Sequence, residues 1–313
     1  MDMSAKSGFN TLLLGFAVAL GAGLLSAPAG AQLNILVTND DGYGSYGINT
    51  MRDALAAAGH NVYVSAPATE QSGKSGSITA DFGAIIGFTE EVPGREWSIE
   101  GTPADSVSAG LFGLTPDVLP PGENIDLVVS GANDGENISR FTNASGTVGA
   151  AMWALRRGVP SIAVSVGQDI TALAQISDCF QGEAPPDPDP TGCGCDIQCL
   201  FVQNQTNAII GANSAAALTV AIVDELEEEG IPEGLGLNVN VPSGRFLPAK
   251  GTRVTKSDND QAFDLVIAKN DDGELEVDSL TVNPILAALL VSVPLPAPCE
   301  FIVDLDSEGA AFA

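Results

Sequence analysis

Five short apolar runs, at 33–38, 61–65, 126–130, 161–166 and 236–241, punctuate the chain. The first four are rich in Val, Ile and Leu with little polar alternation, which predicts strands covered on both faces. Amphipathic segments fall between them at about 47–58, 103–113, 147–157 and 206–229 and predict helices. Strands that alternate with helices imply right-handed crossovers. The expected fold class is therefore α/β, with a doubly wound, mostly parallel sheet. After about residue 251 the pattern changes to the short runs Leu265–Ala268, Leu275–Val282 and Leu286–Val293. These predict a C-terminal hairpin or arm, and no internal repeat is evident.

The N-terminus alters this picture. Lys6 precedes an apolar run from Leu12 to Leu25, and Ser26-Ala27-Pro28-Ala29-Gly30-Ala31 follows. A charged start, a short hydrophobic stretch and small residues at a cleavage position form a secretory signal pattern. The run is shorter than the ~20 residues of a membrane span. The expected organisation is a signal peptide at 1–31, an α/β core at 32–256 and an extension at 257–313. That extension is a candidate oligomerisation arm. The protein is expected to be exported, periplasmic or extracellular, and no later stretch reads as long or apolar enough to cross a membrane.

Charge narrows the partners. Twelve Lys and Arg against 40 Asp and Glu give a net charge of −28, unchanged by cleavage because Asp2 and Lys6 cancel. Such a surface repels polyanions, which argues against long nucleic acid and against an anionic membrane once the signal is removed. A small phosphorylated substrate remains compatible if a bound cation offsets the local field. The five cysteines are Cys179, Cys193, Cys195, Cys199 and Cys299. Four of them bracket an acidic, Pro-rich insertion at about 178–200, where disulfides are expected in an oxidising compartment. Their spacing matches no familiar zinc knuckle, connectivity stays open, and the sole histidine, His60, lies far away in sequence.

Candidate chemistry collects where predicted strands end. The first strand stops on Asn39-Asp40-Asp41-Gly42, and like charges this close call for a cation or a proton between them. The second leads into Ala66-Pro67 and Gln71-Ser72-Gly73, and the third into Ser130-Gly131-Ala132-Asn133 with Asn137 beyond. Asn143-Ala144-Ser145-Gly146-Thr147 opens the next helix. Asp, Ser and Asn oxygens suit a hard cation, and free amides at a helix start suit a phosphate. Open α/β sheets bind ligands along that edge. Gly73-Lys74-Ser75 is not a P-loop end, because Ala68 occupies the position of the required first glycine. His60 sits at a helix-to-strand turn on the far side of the sheet, so a Ser-His-Asp triad lacks its base.

These blocks, in order, resemble the SurE (survival protein E) family of nucleotidases. The resemblance continues through Gly101-Thr102-Pro103-Ala104-Asp105, Gly158-Val159-Pro160-Ser161 and Leu237-Asn238-Val239-Asn240-Val241-Pro242. It covers residues 33–167 closely and about 205–256 more loosely. It implies a Rossmann-like phosphatase holding one divalent ion per subunit, Mg²⁺ or Mn²⁺, and acting on nucleoside monophosphates as a 5'/3'-nucleotidase. By the same resemblance Asp40, Asp41, Ser72 and Asn133 would be metal ligands, with Asp40 and Asp41 catalytic. Ser145, Gly146, Thr147 and Asn137 would contact phosphate, and Asn39 would support the metal loop. A homodimer or homotetramer is also implied. The rival readings are a broader phosphomonoesterase on the same site and a non-catalytic exported protein that captures nucleotide or phosphate.

Overall fold

A computed structural model describes residues 32–139, 141–183 and 189–247, and gives residues 251–255, 263–269, 275–282 and 300–304 as backbone strands. The expected signal segment 1–31, the Leu286–Val293 run and Cys299 lie outside the described residues. In chain order the elements are β1 (Asn34–Thr38), α1 (Tyr46–Ala57), β2 (Asn61–Pro67), β3 (Phe88–Val92), β4 (Glu96–Ile99), α2 (Pro103–Ala109), β5 (Leu127–Asp134), α3 (Phe141–Ala144) and α4 (Gly146–Leu155). There follow β6 (Ser161–Val166), α5 (Ile170–Phe180), α6 (Ile197–Glu229), β7 (Gly236–Val241), β8 (Gly251–Thr255), β9 (Phe263–Lys269), β10 (Leu275–Val282) and β11 (Glu300–Asp304).

Among the described residues the main sheet runs β3-β4-β2-β1-β5-β6-β7-β11-β8. From β4 to β7 every neighbouring pair is parallel. Strands β3 and β11 add antiparallel pairs to β4 and β7, and β9 with β10 forms the expected hairpin apart from that sheet. The apolar runs are explained by two cores. Ile35 and Val37 pack with Ile48, Met51 and Leu55 of α1 and Ala215, Ala216 and Val223 of α6. Leu36 faces the opposite way, onto Val107 of α2 and Ala150 and Ala154 of α4. Successive strand residues thus point into different apolar layers, and neither face needs polar alternation.

Four elements depart from the expected pattern. Strand β3 is exposed along its whole length and β4 is only four residues long, so neither carries a strong apolar signal. Helix α5 was not expected. Helix α6 starts at Ile197 instead of about 206, because Asp196 caps it by accepting from the Cys199 amide at 3.1 Å. Extended in this way, α6 is long and apolar enough to cross a membrane by length and composition, with mean hydropathy 1.5. This corrects the expectation that no such stretch follows the N-terminal apolar run. Its buried residues Ala212, Ala215, Thr219 and Val223 lie in the protein core.

The cysteine-rich insertion is stapled by Cys179–Cys195 and Cys193–Cys199, a pairing that the sequence left open. Asp189 organises the loop between them. It accepts from the amides of Gly194 (2.6 Å) and Thr191 (2.9 Å), the Thr191 hydroxyl (2.8 Å) and the Gln175 amide (3.0 Å). These donors hold its carboxyl well below the usual carboxylate range, the Gly194 amide most of all. The Cys179–Cys195 bridge spans 16 residues, a loop for which chain entropy assigns about 3 kcal/mol. Reduction is therefore expected to lower unfolding stability by that order, measured by urea unfolding with and without reductant.

Candidate metal and phosphate site

The chain leaves β1 for β2 on one side and later fills β5, β6 and β7 on the other. Such a reversal opens a crevice beyond the strands' C-terminal ends. Asn39, Asp40 and Asp41 follow β1 into that crevice, and Asn133 arrives from β5. Strand β5 shifts register against β6 between Ser130 and Asn133, turning its last residues toward the crevice. Gly131 has φ +136° and lies against the Val164 carbonyl, so a side chain there would meet backbone.

Asp40 is 3% exposed. Burial raises its carboxyl above the ordinary value, opposed by hydrogen bonds from the Thr147 hydroxyl and from the backbone around Gly146 and Thr147. Asp41 lies beside it and accepts from the Asp134 amide at 3.1 Å. Burial first, and then the Asp40 charge, push Asp41 up to about 7. A buried acid beside a half-buried one favours a proton or a cation between them. Asn39 is fully buried and supports the turn, donating to the Gly42 carbonyl (2.9 Å) and the Ser45 hydroxyl (2.8 Å).

The other expected ligands converge from two loops. The Gln71 amide donates to the Asp40 carbonyl at 2.7 Å, which docks the Ser72 loop one residue away. The Ser72 amide donates to Glu70 at 2.7 Å. The Ser72 hydroxyl and amide together hold the Glu70 carboxyl below its ordinary value. A hydroxyl that donates to Glu70 keeps its lone pairs for a cation. Asn133 donates its amide to the Gly135 carbonyl at 2.7 Å, leaving its side-chain oxygen for the same task. The Asn39 Oδ1, Thr38 Oγ1 and Ser130 Oγ atoms are buried without partners at these strand ends. An all-oxygen donor set with orphaned acceptors fits a hard divalent cation.

Helix α4 brings the expected phosphate-contacting turn against Asp40. Ser145 is its N-cap, accepting from the Val148 amide at 3.1 Å. At Gly146 a Cβ would come 2.7 Å from the Asp40 Cβ and 2.8 Å from its Oδ2, so only glycine permits this approach. The helix start therefore already faces an anion, the Asp40 carboxylate. Asn137 stands deeper: its amide donates to the Ser165 hydroxyl at 2.8 Å, and its carbonyl accepts from Asn238 at 2.8 Å. That bonding ties the loop after β5 to β6 and β7.

A cavity of about 430 Å³ adjoins the acids, lined by Asp41 and Asn133 on one side and by Tyr46, Val166, Gln205 and Ile209 elsewhere. Sequence reasoning missed the contribution of α6, since nothing local joins residues 205–212 to Asp41. Tyr46, which opens α1, carried no motif signal; its hydroxyl accepts from Asn213 of α6 at 3.1 Å.

Comparison with known proteins gives one consistent result. Residues 35–185 match the family model described as survival protein SurE. A protein of Gloeobacter violaceus named 5'-nucleotidase SurE is 35% identical over 227 residues, 72% of this chain and 70% of the relative. A 5'-nucleotidase SurE of Hyphomonas neptunium is 36% identical over 145 residues, 46% of this chain, and the match spans only 54% of that relative's length. The crystal structure of a SurE protein from Aquifex aeolicus superposes with a TM-score of 0.59 at 26% identity. It covers 87% of this chain and 92% of that one.

Proposed function

The chain belongs to the SurE family, and on that premise we propose that it is an exported, divalent-metal-dependent phosphoric monoester hydrolase acting on nucleoside monophosphates as a 5'/3'-nucleotidase. The observation that carries this reading is the pair Asp40–Asp41, packed against the start of α4 and opening into a largely apolar cavity. Asp40, Asp41, Ser72 and Asn133 would hold one Mg²⁺ or Mn²⁺ per subunit. The ion supplies Lewis-acid polarisation of a phosphoryl oxygen. Ser145, Gly146 and Thr147 receive the phosphate at the positive end of the α4 dipole. Asn137 fixes the neighbouring loop, and Asn39 keeps the metal-binding turn in shape. Asp41 orients the attacking water.

The nucleoside would lie in the cavity against Tyr46 and Ile209. Base–aromatic stacking contributes roughly 1–3 kcal/mol. Tyr46→Ala is therefore expected to raise KM for nucleoside monophosphates about tenfold while leaving a small non-nucleoside phosphate nearly unaffected. Steady-state kinetics on both substrates checks this. Export is supported by the signal pattern and by two disulfides, which persist in oxidising compartments. Assembly into a homodimer or homotetramer is supported by the exposed Phe82, Ile85, Phe88 and Phe112.

The deciding experiment is phosphate release from a nucleoside monophosphate panel and an aryl phosphate by metal-stripped protein given Mg²⁺ or Mn²⁺. Metal-dependent turnover that prefers nucleotides supports the proposal. Equal turnover of all phosphomonoesters would make the enzyme a general phosphatase. Nucleotide binding without turnover would make it a receptor.

A further inference from the structure

We propose that His60, Asp224 and Glu227 form a second divalent-cation site, at the sheet edge opposite Asp40 and Asp41, that takes a borderline first-row ion such as Zn²⁺. One ligand atom from each of these residues lies within 4.8 Å of the other two. The site is built from two rigid pieces. His60 follows Gly59, whose φ of +105° ends α1. The Gly59 amide donates to the Ala56 carbonyl and the His60 amide to the Leu55 carbonyl, a Schellman cap that fixes the histidine immediately before β2. Asp224 and Glu227 stand three residues apart on α6, which puts them on one face of the helix. Helices α1 and α6 pack together, so the three side chains come from neighbouring elements.

Three independent deficits meet at this point. His60 is only 8% exposed, yet neither of its ring nitrogens has a hydrogen-bond partner. Buried polar groups are nearly always paired. Glu227 has a buried Oε1 that also lacks a partner. Asp224 and Glu227 repel each other, in an α6 terminus that carries Glu225, Glu228 and Glu229 as well and no basic residue in its last turn. The negative end of the helix dipole adds to that repulsion. A single cation acts on all three: it accepts the one lone pair a neutral imidazole offers, gives the orphaned carboxylate oxygen a partner and neutralises the helix end.

The donor set also selects the ion. One imidazole and two carboxylates suit Zn²⁺ and its first-row neighbours, whereas the all-oxygen donors at the other edge suit Mg²⁺ or Mn²⁺. The two sites are well separated. His60 precedes β2 and the Asp40–Asp41 pair follows β1, so they lie on the order of 20 Å apart along parallel strands. The cation would act as a clamp between the α1–β2 turn and the C-terminal half of α6, the helix whose earlier residues line the nucleotide cavity.

The test uses tag-free protein dialysed against Zn²⁺ alone, with bound metal counted by elemental analysis, and Co²⁺ as a spectroscopic probe. Because His60 is the only histidine, a paramagnetically shifted imidazole signal in the Co²⁺ form has one source. Wild type and Asp41→Asn are expected to show that signal and to retain the Zn²⁺ equivalent at this site. His60→Gln is expected to lose both with unchanged circular dichroism. Loss of a supporting partner alone weakens metal sites 10- to 100-fold, so Asp224→Asn, at an exposed position without hydrogen bonds to lose, should weaken Zn²⁺ at least about tenfold. If His60→Gln fails to fold, Asp224→Asn decides the question. Equal Zn²⁺ content and affinity in wild type and Asp224→Asn, or a Co²⁺ form without an imidazole signal, overturns the proposal. Phosphatase activity enters neither readout, so this site and the nucleotidase reading fail separately.

Discussion

Asp41→Asn is expected to lose at least about a thousandfold of metal-dependent phosphatase turnover while keeping its fold. Lewis-acid stabilisation is worth several kcal/mol, and each 1.36 kcal/mol is about tenfold in rate. Asp41 loses only one hydrogen bond of note in the exchange, that from the Asp134 amide, and asparagine still offers an acceptor. The same substitution should weaken a pH trend. Burial and the Asp40 charge raise the Asp41 carboxyl from 3.8 to about 7 in the metal-free fold. Its ionised form is thus disfavoured by folding. Metal-free wild type should be most stable while Asp41 is protonated and should lose stability as pH climbs from about 4 to about 7. For one proton the slope is at most about 1.4 kcal/mol per pH unit. Asp40, shifted in the same direction, steepens the trend. Asp41→Asn removes its own share. A divalent ion displaces that proton, so wild-type Mg²⁺ affinity should rise up to tenfold per pH unit below about 7 and flatten above it. Urea unfolding in chelator and titration calorimetry across pH 5–8 measure both trends. Turnover in Asp41→Asn within tenfold of wild type would remove Asp41 from the site.

The parallel core of the sheet was legible because its strands are buried on both faces, so Ile35-Leu36-Val37 and Ile162-Ala163-Val164 read as unbroken apolar runs. The same logic fails at the edge. Phe88-Thr89-Glu90-Glu91-Val92 is exposed throughout and owes its strand state to pairing with β4, which no local pattern reports. The acids were legible because adjacent carboxylates at a strand end are chemically conspicuous. What α4 does with them was not. The sequence assigned Thr147 and the helix-start amides to phosphate, yet in the fold the Thr147 hydroxyl and the backbone of that turn also hold Asp40. One turn therefore serves both a ligand-bearing acid and the proposed phosphate position. The α6 wall of the cavity was invisible for a different reason: it depends on tertiary packing across more than half the core. His60, set aside when no catalytic triad could be built, becomes informative only once both its nitrogens are found buried and unpartnered.

Gly146→Ala should have a large effect for a one-carbon change, because it falls between Asp40 and the start of α4. By helix propensity alone the substitution is favourable, since alanine exceeds glycine by up to about 1 kcal/mol in a helix. Packing opposes it. The added Cβ would fall 2.7 Å from the Asp40 Cβ and 2.8 Å from its Oδ2, well inside contact distance. Neither partner has room to give: Asp40 is 3% exposed and held by Thr147, itself fully buried. Overpacking of this kind costs about 1–3 kcal/mol, so the net change should be destabilising. The catalytic consequence is larger. A displacement of about 1 Å in a reacting group can cost roughly a hundredfold in rate, and here one methyl separates a proposed metal ligand from the turn meant to hold the phosphate. Turnover should fall by at least that factor, with a matching loss of Mg²⁺ affinity. Gly44→Ala, which meets nothing within 4 Å, should leave stability and turnover nearly unchanged. If Gly146→Ala keeps full activity, Asp40 and the α4 start do not act as one unit, and the phosphate must bind elsewhere along the edge.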